Sequence, residues 1–201
     1  MMDADEMFTT PGAGPTGPGP EEDAAATKAR AERAETLLWL RGQWSQALPI
    51  SGSPAEKYLV EHRGLVGISW PPSLRYAPKY QTRPDRVQHP CLLAAGLNIA
   101  DELVVLHSIE LSPLTGEKSK RTDEPKRSRG PVSEGTVFLG DPDSTPATLV
   151  LAEGPETGLT RRLVGPADIH TCLGALRWVE PRPHHRRVEI LADTGKHPTA
   201  R

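Results

Sequence analysis

The chain has few cysteines and no long apolar run, which excludes several classes of protein. Its two cysteines, Cys91 and Cys172, form no C-x-x-C pair, and this argues against a disulfide framework or a zinc ribbon. Both lie in apolar stretches, so buried thiols in a reducing cytoplasm are expected. No stretch approaches the length of a membrane span, and the acidic, proline-rich start lacks signal-peptide character. These absences predict a cytoplasmic location, no membrane partner and no zinc.

Aromatic residues are also scarce, at 4% of 201 residues, whereas 21 prolines and 18 glycines indicate many turns. Residues 1–24, with PGAGPTGPGP at the centre, have no periodicity and too little apolar surface to fold. We therefore expect a disordered tail there. The formal net charge is −2, but six acids precede the first base, Lys28. The rest of the chain is mildly basic, which permits a nucleic-acid partner without requiring one.

Two helices are expected after this tail. Apolar residues at helical spacing predict the first from about residue 25 to residue 48. The second has clear boundaries: Ser53 as N-cap, Pro54 in the first turn and Glu56 completing a capping box. Gly64 follows directly after its expected end.

Strand patterns follow these helices. The first group is expected at residues 74–78, 91–99, 102–111 and 136–140, with the middle two forming an antiparallel hairpin. A second group alternates strand and helix: strand 148–152, helix 155–163, strand 168–172 and strand 187–192. The fold class is therefore α/β, with a mixed α+β region at 25–146 and an incomplete parallel sheet at 147–201.

Two carboxylates come directly after predicted parallel strands. Glu153 follows TLVLA and Asp193 follows VEILA. Because parallel neighbours bring their carboxyl ends to one edge, these side chains could converge although they are 40 positions apart. Converging carboxylates bind Mg²⁺ together with substrate phosphates, in phosphoryl or nucleotidyl transfer. Either acid taken alone is as well explained by a surface turn.

Several stretches resemble a known family when they are taken in order. VLAEGPETGL (150–159) is similar to the first motif of the Toprim domain, the catalytic module of bacterial-type DNA primases and topoisomerases, in its phage and plasmid primase form. ISGSPAEKYLVEHRGL (50–65) resembles the helix of the region preceding Toprim in those proteins. LRYAP (74–78), GEKSKRTDEPKRSRG (116–130) and TVFLG (136–140) also occur in the expected order. The resemblance covers roughly residues 35–195 and implies a primase-like α+β region followed by a partial Toprim domain.

The resemblance implies roles for both acids and a cofactor, Mg²⁺ or Mn²⁺. Glu153 matches the Toprim glutamate, a general acid/base or an aid to metal binding, and Asp193 matches the first aspartate of a D-x-D metal motif. Gly195 stands where the second aspartate is expected, so weaker metal binding is expected unless Glu156 or a residue beyond Arg201 compensates. The family's domain continues through a further helix and strand. We therefore expect either a fragment truncated within Toprim or a shortened, inactive relative.

A basic segment lies between two of the predicted strands. It contains Lys118, Lys120, Arg121, Lys126, Arg127 and Arg129. In the resembling primases, a basic segment at this place lines the groove for template and incoming nucleotide, because cations attract phosphates. The implied partners are single-stranded DNA and nucleoside triphosphates, with a replicative helicase as a further candidate. Judged by its charge alone, the segment is better explained as a solvated loop.

The sequence supports two functional hypotheses. The first is a Toprim-type DNA primase, or a fragment of one, that carries out metal-dependent nucleotidyl transfer on single-stranded DNA; EGPET favours it. The second is a non-catalytic nucleic-acid-binding or replisome-interaction module derived from a primase. Gly195 favours the second hypothesis.

Overall fold

The computed structural model describes residues 20–81, 87–174 and 179–192, which form a mixed α and β structure with two four-stranded sheets. The chain divides into two compact units, Met1–Glu35 and Thr36–Arg201. In the first unit the described residues are helical. The second unit contains both sheets and is described below.

Helix α1 spans Pro20–Gln46 and so begins five residues before the expected start at residue 25. The end of the segment expected to be a disordered tail is therefore helical, while residues 1–19 lie outside the described residues. Among the helices of the described residues, none is both long enough and apolar enough to cross a membrane.

Helix α2 (Pro54–Lys57) begins as its capping residues predict. The Ser53 hydroxyl accepts hydrogen bonds from Ala55 N and Glu56 N, at 3.2 and 3.4 Å. In a capping box the Glu56 carboxylate would accept a hydrogen bond from Ser53 N–H. Here it accepts from Gly52 N–H, one residue earlier. After Lys57 the helix widens into a π-helix, Tyr58–His62, which was not predicted.

Sheet 1 consists of four antiparallel strands in chain order. They are β1 (Leu74–Gln81), β2 (Gln88–Leu97), β3 (Leu103–Glu110) and β4 (Lys126–Arg129). The predicted hairpin is confirmed as β2 and β3. Strand β4 was missed, because its sequence KRSR has no apolar alternation. Residues of β2 and β3 are almost all buried because both faces of sheet 1 are covered.

Sheet 2 is built around three parallel strands. It contains β5 (Val137–Phe138), β6 (Thr148–Ala152), β7 (Asp168–Thr171) and β8 (Arg187–Leu191), in the order β5-β7-β6-β8. Strand β6 is parallel to both β7 and β8, and β5 runs antiparallel to β7. Helix α3 (Pro155–Arg162) connects β6 to β7. The expected strand-helix-strand order is therefore present, with the carboxyl ends of three strands at one edge.

One hydrophobic core joins the two sheets. It includes Leu92 and Ile109 of sheet 1, Val150 and Ile169 of sheet 2, and Leu59 of the π-helix, all buried. On its other face, sheet 1 packs against apolar residues of α1 from residue 37 onward. Burial of these side chains fixes the distance between β4 and α3, which together carry the candidate site.

Two helical glycines differ in the space around them. A β-carbon at Gly158 of α3 would lie 2.7 Å from Thr171 Cγ2 and 2.8 Å from Leu139 Cδ1. At Gly42 of α1, no atom would lie within 4 Å. Gly158 therefore permits α3 to approach sheet 2 closely.

We predict opposite effects for alanine at these two positions. Gly42→Ala should raise the free energy of unfolding by about 0.5–1 kcal/mol, because alanine is the better helix former. Gly158→Ala should lower it by about 1–3 kcal/mol, because the methyl group overpacks the interface. Urea denaturation of the three proteins measures both changes. Equal stability of the two variants would contradict close packing at Gly158.

Candidate functional site

Strands β6 and β8 are adjacent and parallel, so the residues that follow them share one edge of sheet 2. Glu153 comes directly after β6, and its N–H donates to the carbonyl oxygen of Leu191 over 3.2 Å. The predicted metal ligand Asp193 and the substituted position Gly195 lie outside the described residues. The structure thus describes one of the two acids, Glu153.

The sequence offered Glu156 as a possible substitute metal ligand, whereas the structure places it in a charged cluster. Its carboxylate lies in the first turn of α3, with a side chain only 12% exposed. One oxygen accepts from Arg63 and from the Tyr58 hydroxyl, and the other accepts from the ammonium of Lys126. Arg63 Nε also donates to Tyr58 Oη over 2.9 Å. Three separate elements, the π-helix region, β4 and α3, therefore meet at one carboxylate.

The surroundings of Glu156 keep it ionised. Burial by itself would raise the pKa of this carboxyl. Hydrogen bonds from Lys126 and Tyr58, together with the charges of Lys126 and Arg63, outweigh burial and lower the pKa to about 2. Tyr58 responds in the opposite sense: burial and the bond to Glu156 raise its pKa, so it remains a neutral donor.

Two further residues lie in the field of this cluster. Burial lowers the pKa of Lys118. The negative charge of Glu156 opposes this lowering, and the positive charges of Lys126 and Arg63 add to it. Burial and the Lys126 charge lower the pKa of His107 to about 4, so this histidine is neutral at pH 7. We name Arg63, Lys118, Lys126 and Glu156 the Glu156 cluster.

The basic segment does not form one continuous surface. Alternate residues of β4 face opposite sides of sheet 1. Lys126 contacts Glu156 on the side of sheet 2, whereas the Arg129 guanidinium lies 3.9 Å from the ring centroid of Trp39 in α1. Between them, Arg127 pairs with Glu124 at 3.1 Å.

In the loop before β4, Lys118, Lys120 and Arg121 line one cleft, to which Arg127 and Arg129 do not contribute. Lys120 is exposed and lies 3.6 Å from Glu117, and Arg121 contacts His89 Nδ1 at 3.2 Å. Of the six predicted nucleic-acid contacts, the structure brings only Lys118 and Lys126 together at the Glu156 cluster. It adds Arg63, which the sequence did not indicate.

A cleft of about 520 Å³ opens beside this cluster. Its walls include Arg63, Glu156, Thr157 and Arg161. Leu191, whose carbonyl oxygen accepts the bond from Glu153 N–H, lines the same cleft. The cleft therefore lies at the carboxyl edge of β6 and β8, where open α/β sheets bind their ligands.

Divalent metal at this edge would depend on Asp193. Both oxygens of Glu156 already bind cationic or hydroxyl donors, so Glu156 is not available to replace a missing metal ligand. Among the described residues that directly follow the parallel strands, Glu153 is the acid. A single carboxylate is a weak Mg²⁺ site without substrate phosphates. The described residues alone do not make a metal site here.

A second group of possible metal ligands lies at the opposite edge of sheet 2. Asp168, the buried first residue of β7, has His185 Nε2 at 2.8 Å and His184 Nε2 at 3.4 Å from its Oδ2. However, His185 Nδ1 accepts a hydrogen bond from Arg182 N at 2.9 Å. A neutral ring that accepts at Nδ1 carries its proton on Nε2, which then donates to Asp168. These hydrogen bonds connect the loop before β8 to β7. Both ring nitrogens of His185 are then occupied, so neither has a free lone pair for a metal ion.

We predict that Glu156 makes stability depend on acid pH. Its pKa is lowered from 4.5 to about 2 by folding, so its contribution is complete above about pH 4.5 and is lost as the pH falls toward 2. Glu156→Gln should cost on the order of 3 kcal/mol at pH 7 and much less at pH 2.5. Urea denaturation at both pH values measures this difference.

The control for this experiment is Glu61→Gln, which removes an exposed ion pair with Lys57 at 3.8 Å. Its effect should stay below about 1 kcal/mol at either pH. If Glu156→Gln were equally destabilising at pH 7 and pH 2.5, the ionised carboxylate would not be the stabilising group.

The comparisons with known proteins identify one family. The family described as a domain of unknown function, DUF7146, matches residues 34–139. None of the curated proteins matches the chain, and none of the solved structures does. The matched segment contains Arg63, Lys118 and Lys126 and ends before Glu153. Because this match covers more than half of the 201 residues, the chain belongs to the DUF7146 family.

Proposed function

We propose that the chain is a Toprim-type DNA primase or a fragment of one, which transfers nucleotides to a primer on single-stranded DNA. The observation that carries this proposal is the cleft at the carboxyl edge of β6 and β8. It is lined by Leu191, whose carbonyl oxygen accepts from Glu153 N–H, and by Arg63 and Glu156. An acid and several cations at such an edge suit a reaction on phosphates, because the cations offset the charge of the substrate.

The order of elements in sheet 2 supports the Toprim interpretation. A hydrophobic strand, β6, is followed directly by Glu153 and then by α3, β7 and β8. This matches the resemblance of VLAEGPETGL to the first Toprim motif. We propose that sheet 2 and α3 are the first part of a Toprim-like sheet, preceded by a primase-like region that includes sheet 1.

In this proposal Glu153 is the general base. It would accept the proton of the primer hydroxyl as that oxygen attacks the nucleotide. When bound with the help of Asp193, Mg²⁺ or Mn²⁺ would supply positive charge to the attacking and leaving oxygens. Arg63, Lys118 and Lys126 would hold the phosphates of template or nucleotide.

A non-catalytic nucleic-acid-binding module is the second candidate, and two observations favour it. Gly195 replaces the expected second aspartate. The bonds made by Glu156 leave it unable to serve as the substitute metal ligand. In this case the cations would retain their role in binding and Glu153 would have none.

The first test is primer synthesis on single-stranded DNA with labelled nucleotides and Mg²⁺ or Mn²⁺. Glu153→Gln should reduce synthesis at least a hundredfold, because it removes the base while keeping the shape of the side chain. Glu102→Gln, an exposed change in the β2–β3 turn, is the matched control and should keep full activity. Unchanged synthesis by Glu153→Gln would remove this residue from the mechanism, and a folded but inactive parent chain would favour the binding module.

The second test addresses nucleic-acid contact, which both candidates require. Lys118→Gln should weaken binding of single-stranded DNA and reduce the slope of log affinity against log salt by about one. Lys79→Gln is the control, because it is exposed on β1, at the opposite edge of sheet 1 from β4. Fluorescence anisotropy at several salt concentrations gives both slopes. Identical slopes for the two variants would show that DNA does not contact the Glu156 cluster.

A further inference from the structure

The Glu156 cluster contains more positive charge than its carboxylate neutralises. Arg63 and Lys126 bind the two oxygens of Glu156, and Lys118 lies close enough to interact with all three groups. Two cations thus bind one buried anion, and a third lies in their field. Like charges that lie close together repel one another, and a further negative group would relieve that repulsion.

A buried polar atom beside the cluster also lacks a partner. Nε2 of His107 accepts or donates no hydrogen bond among the described residues, although its ring is buried and Nδ1 contacts the Ser128 hydroxyl at 2.9 Å. The ring lies in the field of Lys126 and Glu156. Buried polar atoms are usually satisfied, so this unpaired nitrogen leaves the polar interior beside Lys126 incomplete.

Space for a ligand lies on the other side of Glu156. The cleft of about 520 Å³ is within the range of pockets that bind small molecules. Arg63 and Glu156 belong both to its wall and to the cluster, and His62, Thr157 and Thr160 supply further polar groups. Arg63 and Glu156 are therefore shared by the cleft and the cluster, and Glu156 also binds Lys126.

We propose that the Glu156 cluster is a binding site for a phosphate or pyrophosphate group, and that the Glu156 carboxylate is an internal anion which this group displaces. The displaced carboxylate would turn into the cleft or toward solvent, and the phosphate would bind Arg63, Lys118 and Lys126. The assignment of that group to a nucleotide rests on the proposed function. The displacement itself does not depend on it.

Displacement is physically reasonable because the two anions differ in charge. A carboxylate carries one negative charge and offers two oxygens, whereas a pyrophosphate carries several charges and more acceptor oxygens. One arginine and two lysines, with about eleven donor hydrogens between them, match the second group better than the first. An external anion binds only when Glu156 has left the cations, so part of its binding free energy is spent on displacing the carboxylate. Glu156 would therefore lower the affinity of every anion that competes for the site.

The experiment is isothermal titration calorimetry with inorganic pyrophosphate, in EDTA, so that no divalent metal contributes. Relative to the parent chain, Glu156→Gln should bind about tenfold tighter, because the competing charge is gone. Lys126→Gln should bind about tenfold more weakly, because one cation is lost. Glu102→Gln removes one negative charge in the exposed hairpin turn and should change affinity less than twofold.

Two results would overturn the proposal. Weaker or unchanged binding by Glu156→Gln would show that the carboxylate positions the cations rather than competing with the ligand. Equal affinity of Lys126→Gln and the parent chain would show that pyrophosphate binds elsewhere. Circular dichroism of each variant establishes that it is folded before titration.

A second measurement needs no variant and covers the case in which Glu156→Gln fails to fold. The carboxyl carbon of Glu156 is followed by NMR as the pH is lowered, with and without pyrophosphate. Displacement should raise the apparent pKa of Glu156 in the presence of pyrophosphate, because its cations are then occupied. An unchanged or lowered value would contradict displacement.

Failure of this inference can be told apart from failure of the proposed function. Pyrophosphate titration in EDTA reports the anion site alone, and primer synthesis reports the metal-dependent reaction. A chain that makes no primer but shows tighter binding by Glu156→Gln has the anion site without the activity. If the chain makes primer but Glu156→Gln does not bind pyrophosphate more tightly, the chain has the activity and Glu156 only positions the cations.

Discussion

One buried carboxylate connects most of what is specific to this structure. Glu156 of α3 binds Lys126 of β4 together with Tyr58 and Arg63 of the π-helix region, and so joins parts of the chain that are far apart in sequence. An ionised group at this depth is tolerated only because donors occupy both oxygens. The hydrophobic core brings the two sheets together, and this carboxylate determines which polar side chains meet at their border.

The packing of the sheets explains why the cleft lies at the edge of sheet 2. Sheet 1 is covered on both faces, by α1 and by the core shared with sheet 2, so its central strands have no exposed face for a ligand. The cleft borders Leu191 at the carboxyl end of β8, and α3 approaches sheet 2 closely at Gly158. Its first turn is thereby held where Glu156 can reach β4.

Local patterns allowed much of the fold to be predicted, while contacts between distant residues did not follow from them. The cap at Ser53, the β2–β3 hairpin and the order β6-α3-β7-β8 depend on neighbouring residues and were expected. Strand β4 was missed because its pairing comes from β3 rather than from its own sequence. Glu156 stands in the quoted EGPET motif, yet its partners Tyr58 and Arg63 are 98 and 93 positions away.

The π-helix determines how Tyr58 and Arg63 both reach the Glu156 carboxylate. Tyr58 and Arg63 are five residues apart, and in a regular α-helix they would point about 140° away from each other. In the wider π turn, residues at i and i+5 stack on the same side, and here Arg63 Nε reaches Tyr58 Oη. The extra residue in this turn therefore rotates Arg63 toward the side of the helix that carries Tyr58. It lets one short helical segment present two donors side by side to a single oxygen, which an α-helical turn of the same sequence could not do.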